Sequence, residues 1–70
     1  MTFGEILKFV RKQFNLTQEQ LAHQLNISFS TINRWENGHT SPSTLAKMRL
    51  LEFCQNMDAD TAIIVEIKKL

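Results

Sequence analysis

Cross-linking and conformationally special residues are scarce in this chain. Its 70 residues include one cysteine, one proline, two glycines and no tyrosine. A single cysteine cannot form an intramolecular disulfide, so we expect a buried apolar Cys54 and a reducing, cytoplasmic setting. No apolar run approaches the roughly 20 residues of a membrane span, and the N-terminal sequence lacks the pattern of an export signal. We therefore expect no membrane association.

Catalytic signatures are also missing. The chain has no Ser-His-Asp or Cys-His arrangement and no glycine-rich phosphate loop. His23 and His39 belong to no catalytic pattern, and the chain has no second cysteine that could join a histidine in binding a metal. The sequence predicts a protein that is not an enzyme and that uses neither a cofactor nor a metal.

Charge of either sign is nearly balanced. The chain has eight basic and seven acidic residues, which gives a net charge of +1. Nucleic-acid binders usually gain much of their affinity from several lysines and arginines, so a single copy of this chain should bind such a partner weakly. A hydrophobic content of 43% and the absence of low-complexity runs favour an ordered domain. We expect residues 1–70 to form one domain.

Helix-capping patterns are what the sequence does contain. Thr2 with Glu5 and Thr17 with Gln20 form capping boxes. In each box, the side chain of either residue accepts a hydrogen bond from the backbone amide of the other. The first box begins a helix over residues 2–14 with an apolar face. The second begins a short helix that Asn26 can end, because asparagine tolerates left-handed backbone.

A second short helix follows almost at once. Ser28 is a good N-cap, Ile32 and Trp35 lie three residues apart on one inward face, and Asn37 with Gly38 supplies an end. Two capped helices separated by a tight polar turn, over residues 17–37, are typical of a helix-turn-helix motif.

The segment LTQEQLAHQLNIS…TINRWENG resembles the Cro and phage-repressor (XRE-type) family of bacterial DNA-binding proteins. The likeness covers roughly residues 3–53. It implies an all-α, compact four- to five-helix fold like that of lambda repressor, with the second helix of the motif in the major groove of double-stranded DNA.

The resemblance also implies which side chains touch DNA. Base contacts fall to the solvent-facing positions of the second motif helix. Side-chain chemistry assigns the contacts: Phe29 cannot hydrogen-bond and would contact a thymine methyl group, Asn33 would pair with adenine, and Arg34 would pair with guanine or a phosphate. Related phage repressors often have glutamine at the positions of Phe29 and Ser30, so their operator sequences do not transfer to this chain. An alternative for Phe29 is burial against the following helix. The full predicted set is Ser28, Phe29, Ser30, Asn33 and Arg34.

Phosphate contacts are expected at two places. Gln18 begins the first motif helix, where free amides and the helix dipole attract anions. The loop after the second motif helix would hold the backbone through Asn37, His39, Thr40 and Ser41. The resemblance further implies a partly buried ion pair between Arg11 and Glu36.

Two segments complete the chain. Ser41 as N-cap and Pro42 at the first helical position predict a helix that runs to about Gln55. Residues 58–70 fit either a helix capped by Asp60 or a strand favoured by β-branched residues; we favour the helix. A strand would need a partner edge from a second chain, so this segment is a candidate for dimerisation.

Two functions fit the sequence. The first is a sequence-specific DNA-binding transcriptional regulator, more in keeping with a repressor than with an activator, that binds a two-fold operator as a homodimer. The second is an interaction module, such as an antitoxin or accessory subunit, that binds a protein partner through the same fold. The near-neutral charge and the broad apolar surface of the last two segments motivate this alternative.

Overall fold

Helices account for all the regular structure in the described part of the chain. A computed structural model describes residues 1–38 and 42–70, and within them it contains five α-helices and no strand. The all-α prediction is confirmed. The helices are α1 (Phe3–Phe14), α2 (Gln18–Leu25), α3 (Phe29–Glu36), α4 (Thr44–Asn56) and α5 (Thr61–Lys68).

The first two helices begin at the predicted capping boxes. Thr2 Oγ1 accepts a hydrogen bond from the Glu5 amide at 3.1 Å, and Glu5 Oε1 accepts one from the Thr2 amide at 2.8 Å. Thr17 and Gln20 repeat the arrangement at the same two distances. Local sequence therefore fixes both starting points, because each box satisfies backbone donors that the helix itself leaves free.

Left-handed asparagines end these two helices. Asn15 has φ 55° and Asn26 has φ 56°, and each backbone amide bonds a carbonyl of the preceding turn. Asparagine adopts this conformation at lower cost than most residues. The sequence predicted this role for Asn26, and Asn15 uses the same device. Both chain reversals are therefore short.

The core lies where all five helices meet. Its fully buried large side chains include Ile6 and Leu7 of α1, Leu21 of α2, Ile32 of α3 and Leu50 of α4. Two edge-to-face aromatic pairs join the elements: Phe3 with Trp35 at 5.2 Å between ring centroids, and Phe14 with Phe53 at 5.9 Å. These contacts hold α3 against α1, and α4 against the end of α1.

The start of α4 differs from the prediction. Its N-cap is Ser43, whose Oγ accepts from the Ala46 amide at 3.1 Å, so the helix begins at Thr44 rather than at Pro42. The prediction of Pro42 as first helical residue was wrong. Two serines flank the proline, and either can cap a helix; the Ser43 hydroxyl satisfies the free amide of Ala46, so the helix starts after the proline.

The C-terminal segment is a helix. Asp60 Oδ1 accepts from the Ala62 amide at 3.0 Å, and Ile63 and Ile67 are buried one turn apart. The strand alternative is wrong. A strand would turn Ile63, Val65 and Ile67 to one side, whereas Val65 is exposed here. Packing of α5 on α1 and α4 outweighs the β preference of its branched residues.

Part of the α4 surface stays open. Leu50, Phe53 and Cys54 face the core, but Leu45 is 57% exposed and Met48 is 60% exposed. The expected broad apolar surface is therefore covered by α5 only in part. Among residues 1–38 and 42–70, none of the helices combines the length and apolar character that a membrane crossing requires.

Candidate nucleic-acid interface

The outer face of α3 is a strip of polar and aromatic side chains. Ile32, Trp35 and Glu36 are buried on the inner face of the helix. Opposite them, Phe29, Ser30, Arg34 and Asn37 are exposed and Asn33 is half-buried. Residues three and four apart lie on one side of a helix, so these five side chains form one continuous surface. We call these five residues the α3 strip.

Ser28 lies at the start of the strip but has a structural task. Its Oγ accepts from the Thr31 amide at 3.2 Å and lies 2.7 Å from Thr31 Oγ1. The hydroxyl thus caps α3 and bonds to a neighbouring hydroxyl. The Ser28 hydroxyl, predicted to contact a base, is thus engaged within α3.

The two asparagines of the strip are linked. Asn37 Nδ2 donates to Asn33 Oδ1 at 2.9 Å, one helical turn away. This bond uses one of the two acceptor sites of Asn33 Oδ1 and leaves its Nδ2 group free to donate outward. The structure therefore brings together a predicted base contact and a predicted phosphate contact.

Behind the strip, Arg11 and Glu36 join α1 to the end of α3. Arg11 Nε donates to Glu36 Oε2 and Nη2 donates to Oε1, both at 2.7 Å. The Glu36 side chain is 2% exposed and that of Arg11 is 25% exposed. The hydrogen bond to Glu36 raises the pKa of Arg11, and the two parallel bonds fix the angle between the partners.

Gln18 joins the same network. Its Nε2 donates to Glu36 Oε1 at 3.1 Å, which connects the first residue of α2 to the last residue of α3. The sequence predicted Gln18 as a phosphate contact and did not predict this bond, because the partners lie 18 residues apart. A phosphate at this end of α2 would meet a side chain that Glu36 already orients.

Phe29 is exposed rather than buried. It is 44% exposed and borders an open groove of about 600 Å³, whose other side is formed by Leu16, Thr17 and Gln18 at the turn into α2. The proposed burial of Phe29 against the following helix is therefore wrong. The N-terminus of α2 and the Phe29 ring face a common space.

Gly4 is a positioning residue that the sequence did not single out. A Cβ atom on Gly4 would lie 2.6 Å from the Trp35 carbonyl oxygen and 3.1 Å from Glu36 Cα. Real Cβ atoms do not approach backbone so closely, so α1 can contact the end of α3 only because this residue lacks a side chain. Together with the Arg11–Glu36 pair, this contact sets the direction of α3.

Arg49 contacts the end of α2, at the turn that leads into α3. Its Nη1 donates to the Asn26 carbonyl at 3.0 Å and to the Leu25 carbonyl at 3.4 Å. A cation at the C-terminus of a helix satisfies free carbonyls and complements the dipole. Both helices of the motif are thus held by arginines from outside it.

Formal charge on the interface is low. Arg34 is an exposed cation of the α3 strip, and the exposed Glu19 lies at the start of α2. The positive charge of Arg11 is matched by Glu36. The arrangement offers directional hydrogen-bond donors and acceptors more than a strong electrostatic field. The predicted phosphate contacts His39, Thr40 and Ser41 lie outside the described residues.

Comparison with known proteins identifies the class. A helix-turn-helix family model matches residues 7–55, which is most of the chain and includes α2 and α3. The chain belongs to this family, in its XRE type.

Named relatives are similar over the same region. Over 43 residues the chain is 49% identical to the HTH-type transcriptional activator BcrR of Enterococcus faecalis. The matched region covers 61% of this chain and 21% of BcrR. The chain is 37% identical over 43 residues to the HTH-type transcriptional regulator DicA of Escherichia coli, covering 61% of this chain and 32% of DicA. It is 41% identical over 51 residues to the type II methyltransferase M1.ScrFI of Lactococcus lactis, covering 69% of this chain and 13% of that protein. The chain thus spans a third or less of each of these relatives.

Proposed function

We propose that this chain binds double-stranded DNA sequence-specifically, with α3 in the major groove, and so regulates transcription. The observation that carries the proposal is the α3 strip, which places the exposed Arg34 and the half-buried Asn33 opposite a buried inner face. A helix of this size fits the major groove, where each base pair presents a distinct pattern of donors and acceptors. Two of the relatives described above carry the name of transcriptional regulators, which supports the same assignment.

Each residue of the interface has a proposed role. Asn33 pairs with adenine, Arg34 pairs with guanine or a phosphate, and Phe29 contacts a thymine methyl group. Ser30 is an additional exposed hydroxyl on the strip. Ser28 contributes through its backbone rather than its hydroxyl, since the hydroxyl caps the helix.

Phosphate contacts would orient the domain. The N-terminus of α2 offers free amides beside Gln18, and Asn37 lies at the end of α3. His39, Thr40 and Ser41 complete the proposed set. We further propose that two copies bind a two-fold operator and that occupation of a promoter represses it. The proposal assigns no catalysis to this chain, because the methyltransferase match covers 13% of that enzyme.

Selection of duplexes from a random DNA pool, at two salt concentrations, tests the proposal. An enriched inverted repeat is the expected result, and its half-site spacing gives the geometry of the dimer. The Arg34→Ala variant should relax the preference at one base pair of each half-site if Arg34 contacts a base, whereas Gln55→Ala, an exposed change on α4, should select the parent sequence. Absence of any enriched sequence, with binding that salt abolishes uniformly, would contradict sequence-specific recognition.

A second candidate function is binding to another protein. The exposed Leu45 and Met48 of α4 favour it, because they lie three residues apart on one side of the helix and so form a contiguous apolar patch. The Leu45→Ser/Met48→Ser variant separates the two functions. Loss of a co-purifying product of a neighbouring gene, with unchanged DNA selection, would support an accessory role. Loss of an enriched inverted repeat would instead assign the surface to a second copy of the chain.

A further inference from the structure

The most unusual member of the α3 strip is an apolar one. Phe29 is the first residue of α3, its ring is 44% exposed, and Asn33 lies one turn away on the same side. A phenyl ring has neither a hydrogen-bond donor nor a conventional acceptor. It therefore cannot distinguish bases by the polar edges on which asparagine and arginine depend. In the major groove the apolar group that remains is the methyl group on C5 of thymine.

The surroundings of Phe29 limit where this methyl group lies. The ring shares an open groove with Leu16 and with the start of α2, where Gln18 is oriented by Glu36. A DNA strand held by its phosphate at the N-terminus of α2 would thus bring a nearby base edge to the Phe29 ring. Ser28 offers no competing side-chain contact, since its hydroxyl caps the helix.

We infer that Phe29 makes binding depend on a C5-methyl group at one pyrimidine of each half-site, whether the pyrimidine is thymine or 5-methylcytosine. This inference rests on the proposed DNA-binding function. Both bases carry the methyl group on the same ring carbon and differ in the polar group beside it. Methylation of a cytosine at this position therefore raises the affinity of the site, and the domain responds to the methylation state of its operator.

Uracil substitution tests the inference on the operator obtained by selection. Uracil keeps the hydrogen-bonding edge of thymine and lacks the methyl group. Replacing each thymine in turn should weaken binding about fourfold at one position per half-site, the equivalent of one buried methyl or methylene group. At that position a C·G pair should bind more tightly when the cytosine carries a 5-methyl group. The Phe29→Ala variant should lose both effects and Phe29→Leu should keep part of them, while Gln55→Ala should behave like the parent chain.

The outcomes separate the two proposals. An enriched operator with no uracil-sensitive position, or with one that persists in Phe29→Ala, overturns the methyl contact and leaves DNA recognition standing. Absence of any enriched operator overturns both. Circular dichroism of Phe29→Ala should match the parent chain, because the ring is exposed; a loss of helix would overturn its assignment as a surface residue.

Discussion

The guanidinium of Arg11 and the carboxylate of Glu36 meet through two parallel hydrogen bonds of 2.7 Å, across 25 residues of sequence. The pair joins the last turn of α1 to the last residue of α3, and Glu36 also accepts from Gln18 at the start of α2. One buried carboxylate therefore connects three helices. Because α3 carries the candidate base contacts, this network couples the stability of the fold to the direction of the binding surface.

Replacement of Arg11 should be strongly destabilising. Arg11→Met leaves Glu36 buried without its cation, which costs about 3–5 kcal/mol for a buried pair. In a domain of this size that corresponds to a fall of more than about 10 °C in Tm. Thermal unfolding measures it, with Lys12→Met, an exposed change on the same helix, as the control. A Tm within a degree or two of the parent would mean that the pair does not hold the fold.

Gly4→Ala should also destabilise, against the usual helix preference. In an exposed helix interior this change stabilises by about 1 kcal/mol. Here the new Cβ would lie 2.6 Å from the Trp35 carbonyl oxygen, so α1 and α3 must move apart. We expect a net loss of about 1–3 kcal/mol in the free energy of unfolding, measured by urea titration. Lys8→Ala is the matched change on the exposed side of α1, and a Gly4→Ala protein more stable than the parent would contradict the close approach.

The thiol of Cys54 should be inert in the folded protein. Burial raises its pKa from 9.0 to about 11, and the side chain is inaccessible to solvent. A thiol-specific reagent at pH 8 should therefore modify it only after unfolding in urea. Rapid modification of the native chain would show that Cys54 is exposed.

The same pKa shift predicts a pH dependence of stability. A group whose pKa is higher in the folded state loses its stabilising contribution as the pH rises from the unfolded value toward the folded one. Between pH 9 and about 11 the parent chain should therefore lose stability relative to Cys54→Ala. Parallel stability curves for the two proteins over this interval would contradict it.

Salt should weaken DNA binding only moderately. Each phosphate neutralised by a lysine or arginine contributes about −0.9 to the slope of log affinity against log salt. In the described part of the interface Arg34 is the exposed cation, and the net charge of the chain is +1. We expect a slope between about −1 and −3 for each copy bound. A slope steeper than about −5 would mean that lysines outside the α3 strip wrap the DNA.

Local features were predictable from sequence, and long-range ones mostly were not. The caps at Thr2, Thr17, Ser28 and Asp60 were predicted because each involves partners two or three residues apart. The start of α4 was missed where Ser41 and Ser43 flank a proline and short-range rules do not choose between them. The residue pattern alone did not decide between a helix and a strand for α5, because its β-branched residues favour a strand while tertiary packing favours a helix.

The candidate site divides in the same way. The helical periodicity of the sequence separated the outer face of α3 from the inner residues Ile32 and Trp35, because both faces belong to a single helix. The bond from Gln18 to Glu36 and the contact of Gly4 with Trp35 join helices that are distant in sequence. Nothing in the local pattern marks Gly4 as a contact point, because a helical glycine needs no special backbone conformation.

We propose that side chains of the α3 strip contact bases, and a substitution at Asn33 tests these contacts most directly. Affinities of the parent chain and of Asn33→Ala should be measured on the selected duplex and on its single base-pair variants at one salt concentration. We predict a loss of about 1–3 kcal/mol on the selected duplex and relaxed discrimination at one base pair of each half-site. An equal loss on every duplex would contradict the claim and assign Asn33 to the phosphate backbone.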